Sequence, residues 1–235
     1  MPRLRAVVFD LDDTLYPEAD YVRSGFGAVA EWAAARLRTA SANTRAELEA
    51  LFSEGARGDT FDRWLAGRGV TDATLVREMV DVYRGHTPAI TPFPEARALL
   101  ERLGRRYALG LLTDGEVEVQ RAKLDALGLR DCFAAVLFGG ELGRDAWKPS
   151  PRGLRALLER MGGVPPAEAV YVADNPAKDF AAARAAGMRS LRVRRAGGVY
   201  SELEPEGREH APDAEVEGLE GVEAALERLL AEPVR

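Results

Sequence analysis

The stretch Ala108–Phe138, ALGLLTDGEVEVQRAKLDALGLRDCFAAVLF, decides the fold. Ala108–Leu112 is a short apolar run of strand length. Thr113-Asp114-Gly115 is a turn sequence. Val117–Leu127 follows as a helix. Gly128 closes it, because a residue after the last turn that must adopt positive φ costs glycine least. A second apolar run, Ala134–Phe138, completes the unit. A strand, a helix and a strand in this order form a right-handed crossover between parallel strands.

The same rhythm extends in both directions. Helix Glu95–Leu103 precedes the first of these strands, and Leu4–Phe9 is an earlier β-rich run. Helix Pro151–Met161 leads to strand Ala169–Val172. Helix Pro176–Ala186, closed by Gly187, leads to strand Ser190–Val193, and a last helix covers Val222–Leu230. Repeated alternation predicts an α/β fold, a doubly wound, Rossmann-like parallel sheet. The block from Tyr16 to Thr91 breaks the rhythm. Phe26, Val29, Ala30, Ala33 and Leu37 recur at helical spacing, as do Phe61, Trp64 and Leu65, and Val76, Met79, Val80 and Tyr83. The prolines 88, 92 and 94 end the block. The expected organisation is an α/β core of residues 1–15 and 92–235 with an inserted helical cap domain of residues 16–91.

Composition narrows the class. The chain has 235 residues, 46% hydrophobic and 30% charged, with a net charge of −6. The charge argues against a nucleic-acid or anionic-membrane surface. Cys132 is the only cysteine, so no internal disulfide forms. No run approaches the length of a membrane span, and the N-terminus lacks the form of a secretory signal. The expected setting is the cytoplasm, as a monomer or homodimer. Lysine is scarce: 29 arginines accompany only Lys123, Lys148 and Lys178. Lysine kept in such a background marks places that need a compact ammonium, with chance retention as the alternative for each.

Ligands of doubly wound sheets bind beyond the carboxyl ends of the strands. Strand one ends in Asp10-Leu11-Asp12-Asp13-Thr14, the next in Thr113-Asp114-Gly115. Trp147-Lys148-Pro149-Ser150-Pro151 lies beyond the third, and Asp174-Asn175-Pro176-Ala177-Lys178-Asp179 beyond the fourth. Each piece has a plain structural alternative. Asp12-Asp13-Thr14 can cap a helix. Lys148 can be a solvated surface lysine, though Ser150 and Pro151 mark a helix start beside it. Asp179 can be a residue that complements a helix dipole. A calcium loop fails, since Leu15 stands where glycine is needed. The order and placement of all four carry the reading.

These segments resemble the four motifs of the haloacid dehalogenase-like hydrolases: Asp10-Leu11-Asp12-Asp13-Thr14-Leu15, Thr113-Asp114-Gly115, Lys148-Pro149, and Asp174 with Asp179. The helical block is similar to that superfamily's first-type cap. The resemblance runs from Arg5 to about Val193. One position departs: the family usually has glycine before the fourth motif's first aspartate, and this chain has Ala173.

The resemblance implies a magnesium-dependent phosphatase acting on a small phosphorylated metabolite, a sugar phosphate or nucleoside monophosphate. It implies Asp10 as nucleophile and Asp12 as general acid and base. Mg²⁺ is then held by Asp10, the Asp12 backbone carbonyl and Asp174, with Asp179 orienting them. Thr113, Asp114 and Lys148 form the phosphate-binding set, the backbone N–H groups after Thr113 included. Dehalogenases of the superfamily lack an aspartate at the Asp12 position, whereas phosphomutases keep it. A phospho-accepting signalling domain is a further alternative, but it places its acceptor after a later strand and has no such insertion. Lys148 is expected to resist replacement by arginine, and Lys123 and Lys178 to tolerate it. The short connections of the cap suit a hinged lid over the rim. Tyr21, Arg23, Phe26, Trp32, Phe61, Arg63 and Trp64 are its candidate specificity residues, most of the aromatics being expected in the cap's own core.

Overall fold

The computed structural model describes residues 4–231. The chain divides into two compact units, Met1–Glu18 with Thr91–Arg235, and Ala19–Ile90. The first break comes slightly later than the sequence suggests. Leu15 accepts a hydrogen bond from the Phe93 N–H at 2.9 Å, and the Tyr16 hydroxyl donates to Asp12, so both residues stay with the sheet.

Among the described residues, β1 (Ala6–Phe9), β2 (Ala108–Thr113), β3 (Ala135–Phe138), β4 (Ala169–Ala173), β5 (Arg189–Val193) and β6 (Ala214–Val216) form one sheet. Its order is β3-β2-β1-β4-β5-β6, and every pairing is parallel. β1 and β4 are buried at every position. Their unbroken apolar sequences reflect a sheet covered on both faces. One face packs Leu112, Leu137, Leu154, Leu157, Tyr171 and Phe180 into a single core. Truncating one of these leucines to alanine costs about 2–5 kcal/mol. Ala173 ends β4 inside this core, its methyl fully buried.

Strand order reverses at the centre. From β1 the chain proceeds outward through β2 and β3, then returns to β4 on the other side of β1 and continues outward through β5 and β6. The carboxyl ends of β1 and β4 therefore flank the crevice where a doubly wound sheet binds its ligand.

The helices of this unit are α5 (Ala96–Gly104), α6 (Val117–Leu127), α7 (Arg152–Arg160), α8 (Asp179–Ala186) and α9 (Val222–Ala231). Gly128 and Gly187 stop α6 and α8 at φ values of 63° and 87°, the left-handed region that glycine enters freely. Two starts differ from expectation. α8 begins at Asp179 rather than Pro176, because the Asn175 side chain accepts the Ala177 N–H at 2.9 Å and holds a turn there. α7 begins at Arg152, with Pro151 at its cap and no side-chain cap bond. Strand β6 was not legible: it has three residues, none fully buried.

The second unit contains most of α1 (Glu18–Leu37), with α2 (Ser41–Ser53), α3 (Thr60–Ala66) and α4 (Ala73–Gly85). Val22, Phe26, Val29, Leu48, Trp64 and Met79 form its core. Phe26 meets Phe61 edge-on at 6.1 Å between ring centroids. Asp72 caps α4 by accepting the Thr74 N–H at 2.7 Å. Tyr21, Phe26, Phe61 and Trp64 are all buried, and Trp32 packs against the core that holds the last three, as their helical spacing suggests. Arg23 and Arg63 pair locally with Asp20 and Asp59. No helix among the described residues is long and apolar enough to cross a membrane.

Candidate active site

Asp10 follows β1 directly. Its N–H still donates to the Val172 carbonyl at 2.9 Å, so strand pairing fixes its backbone. Asp174 follows β4 in the same way, and the carboxyl groups of Asp10, Asp174 and Asp179 converge. One oxygen of each lies within 4.8 Å of the others, and all three residues are buried.

Lys148 reaches into this cluster. Its Nζ lies 2.8 Å from Asp10, 2.9 Å from Asp179 and 2.8 Å from the Tyr171 hydroxyl. Burial opposes its charge, but Asp10 and Asp179 outweigh that and hold its pKa well above the ordinary lysine value. Asp179 also accepts the Asn175 N–H at 2.9 Å, so it anchors both the lysine and the fourth-motif loop.

Negative charge is still in excess. Burial raises the Asp10 pKa to about 6, with Asp179 adding to it and Lys148 opposing. Burial, then Asp179 and Asp10, push Asp174 well above the usual carboxylate range. Groups so placed are relieved by a proton or a cation. An all-oxygen donor set in this arrangement fits a hard divalent ion, so the residues present suit the metal that the sequence implies. The Thr14 hydroxyl, 3.3 Å from Asp174, supports it from β1's side.

Asp12 stands apart from that cluster and has its own partners. Lys123 Nζ lies 2.7 Å from Oδ1, Gln120 Nε2 lies 3.0 Å from Oδ2, and the Tyr16 hydroxyl donates to Oδ1. Burial pushes the Asp12 carboxyl up, but Lys123 outweighs it, with help from Tyr16 and Gln120, and leaves it below its ordinary value.

Thr113 ends β2, buried, with its Oγ1 2.8 Å from Gln120 Nε2. The Asp114 carboxylate accepts the Lys148 N–H at 3.1 Å, tying the second loop to the third. Residue 114 therefore has its backbone, rather than its side chain, to offer an anion. Lys178 Nζ lies 3.8 Å from Asp114.

All three lysines of the chain thus stand beside carboxylates of this rim. Lys123, expected to tolerate replacement by arginine, is buried against Asp12. Sequence reasoning also missed Gln120, Tyr16 and Tyr171, whose roles come from helix and strand facing rather than from a motif. It missed Arg192 of β5, fully buried, which donates to the carbonyls of Asp174 at 3.1 Å, Tyr200 at 2.9 Å and Leu203 at 2.8 Å. The scarcity of lysine was the one available signal, and it pointed to Lys123 as much as to Lys148.

The family model for haloacid dehalogenase-like hydrolases matches residues 4–187. The chain belongs to the haloacid dehalogenase-like hydrolases. A glyceraldehyde 3-phosphate phosphatase of Methanopyrus kandleri is 32% identical over 91% of this chain and 93% of its own length. A phosphoserine phosphatase of Thermus thermophilus is 41% identical over 62% of this chain and 55% of that protein. Among solved structures, a 2-haloacid dehalogenase from Pseudomonas syringae superposes with a TM-score of 0.65 at 26% identity, covering 96% of this chain and 99% of that one. Within the haloacid dehalogenase-like hydrolases the chain falls with the phosphatases, enzymes that hydrolyse phosphoric monoesters.

Proposed function

We propose that the chain hydrolyses small phosphomonoesters in two steps through an aspartyl-phosphate on Asp10, with Mg²⁺ as cofactor. The observation that carries the reading is the buried Lys148, held between Asp10 and Asp179 beside Asp174. A dianionic ester repels a carboxylate nucleophile, and this arrangement supplies the opposing charge. Asp10 and Asp174, with the Asp12 carbonyl, are the groups to hold the ion. When bound, it neutralises charge on the phosphoryl oxygens.

In the first step an Asp10 oxygen attacks phosphorus and the ester P–O bond breaks. The leaving alkoxide takes a proton from Asp12. A phosphoryl dianion nearby opposes the Lys123 charge and raises the proton affinity of Asp12, which this step requires. Water then gives a proton to the Asp12 carboxylate and attacks phosphorus, the bond to Asp10 breaks, and inorganic phosphate leaves. General acid–base help of this kind supplies about 10²–10⁴ in rate. Thr113 and the N–H groups after it hold the phosphoryl oxygens, and Lys148 steadies the charge they gain. The presence of Asp12 favours phosphate esters over 2-haloacids, since halide leaves without a proton.

The relatives are named for glyceraldehyde 3-phosphate, phosphoserine and phosphoglycolate, all short-chain phosphate esters. That supports a small phosphorylated metabolite as substrate, glyceraldehyde 3-phosphate being itself a sugar phosphate, with nucleoside monophosphates next in rank. Residues 19–90 are read as the helical cap domain of the family. Turnover on a panel of these esters, with a phosphopeptide as competitor, tests the proposal. The expected result is a higher specificity constant for a small ester and a phosphoenzyme that maps to Asp10. Preference for the peptide overturns the small-metabolite reading, and a label elsewhere overturns the mechanism.

A further inference from the structure

We propose that Lys123 is a positioning residue for Asp12: with Gln120 and Tyr16 it fixes both oxygens of the carboxylate that handles the proton of the leaving group. The inference rests on the phosphatase reading of the site. Gln120 and Lys123 are three residues apart on α6, and so share one face of the helix. That face meets the loop after β1. The Lys123 side chain is 7% exposed and its Nζ lies 2.7 Å from Asp12 Oδ1. The Tyr16 hydroxyl donates to the same oxygen, and Gln120 Nε2 lies 3.0 Å from the other. Donors on both oxygens leave the carboxylate one orientation. Gln120 also contacts Thr113 Oγ1 at 2.8 Å, so one helix face sets the proton-handling group and the phosphate-holding hydroxyl together.

The residue type fits the task. A buried contact with one carboxylate oxygen needs a compact charge on a long stem. Arginine, with a wider planar head and five donors to satisfy, does not fit a space already shared with Tyr16 and Gln120. In a chain of 29 arginines the lysine at this position has a physical reason. Orientation also matters to rate. A proton donor held in place does not lose freedom at the moment of transfer.

Leaving-group dependence distinguishes positioning from general support of the fold. 4-Nitrophenolate departs without a proton, whereas an alkoxide needs one. The constant kcat/KM reports the steps up to phosphoryl transfer. Lys123→Met is expected to lower kcat/KM for phosphoglycolate by at least about tenfold, within the range of general acid catalysis, and that for 4-nitrophenyl phosphate by much less. Tyr16→Phe, which keeps shape and removes one donor, should give the same split in smaller measure. It also serves if Lys123→Met does not fold. Added to Asp12→Asn, Lys123→Met should cause little further loss, because the two act through one group. Equal losses on both esters, or additive losses in the double variant, overturn the proposal. Wild-type protein that turns over neither ester, nor any other member of the small-ester panel, sinks the phosphatase reading instead. In that event thermal melts of the same double-mutant cycle still decide the contact: coupled melting shifts support it, and independent shifts overturn it.

Discussion

The Lys148 ammonium lies 2.8 Å from Asp10 although 138 residues separate them, and both side chains are buried. The same ammonium touches Asp179 and the Tyr171 hydroxyl. Three acceptors around one nitrogen match the three protons of a lysine. A guanidinium keeps the charge but has a planar fork and a longer reach. Lys148→Arg is therefore expected to lower kcat/KM at least about tenfold, near 1.4 kcal/mol of transition-state stabilisation. Lys178→Arg should change it little, since Lys178 is partly exposed and 3.8 Å from Asp114. Steady-state kinetics of both variants check this, and matching losses contradict it.

Asp10→Asn should remove turnover while the fold survives. The substitution preserves shape and removes the attacking charge. Burial already raises the Asp10 pKa to about 6, so at neutral pH the folded protein carries an ionised carboxylate in surroundings that favour the neutral form. A neutral amide relieves that. The melting temperature of the cation-free variant is expected to equal or exceed that of wild type, with activity at background. Retained turnover in a preparation verified by mass sets aside Asp10 as the nucleophile.

Much of this site was legible because backbone alternation is legible. Apolar runs such as Ala6–Phe9 and Ala169–Ala173 are buried throughout, so the residues after them had to lie at the carboxyl edge of a parallel sheet. Motif spacing then named Asp10, Thr113, Lys148, Asp174 and Asp179. What stayed hidden depends on side chains meeting across long separations. Gln120 and Lys123 read as ordinary residues of an amphipathic helix, and nothing in their spacing says which face meets Asp12. Arg192 sits in a strand as a charged residue among apolar ones, and burial at that position is set by the Tyr200–Leu203 segment folding over it. Strand β6 has too few residues to show a period.

Arg192 gives a stability prediction. It is fully buried, donates to three backbone carbonyls, and lies 3.4 Å from Glu215. Arg192→Met removes every donor and leaves those acceptors without their partner. Loss of about 3 kcal/mol is expected, as for breaking one side of a buried polar network. Arg192→Lys should recover only part of it, because one ammonium cannot span the positions of Asp174, Tyr200 and Leu203. Urea denaturation of the three proteins, read at constant m-value, measures the differences. A change below about 0.5 kcal/mol, the scale of an ordinary surface substitution, is inconsistent with this account.

The last prediction links metal binding to pH. Asp10 and Asp174 have folded-state pKa values raised above those of the unfolded chain, Asp10 to about 6 and Asp174 well above the usual range. Above the ordinary carboxylate value near 3.8 the unfolded state releases these protons, while the folded state retains them until its own higher pKa is reached. In that window the folded state binds more protons, so stability of the cation-free protein falls as pH rises. For Asp10 the fall runs from about pH 4 to beyond pH 6, and Asp174 extends it upward. A divalent cation among these carboxylates replaces the missing protons and stabilises the fold by an amount that grows with the logarithm of its free concentration above its dissociation constant. Melting curves with chelator or with Mg²⁺ should therefore diverge as pH rises, the Mg²⁺-induced increase being larger at pH 7.5 than at pH 5. Chelator should abolish turnover, and added Mg²⁺ should restore it. A thermal shift that is the same at both pH values separates the ion from these carboxylates, and full activity in excess chelator removes the metal from the mechanism.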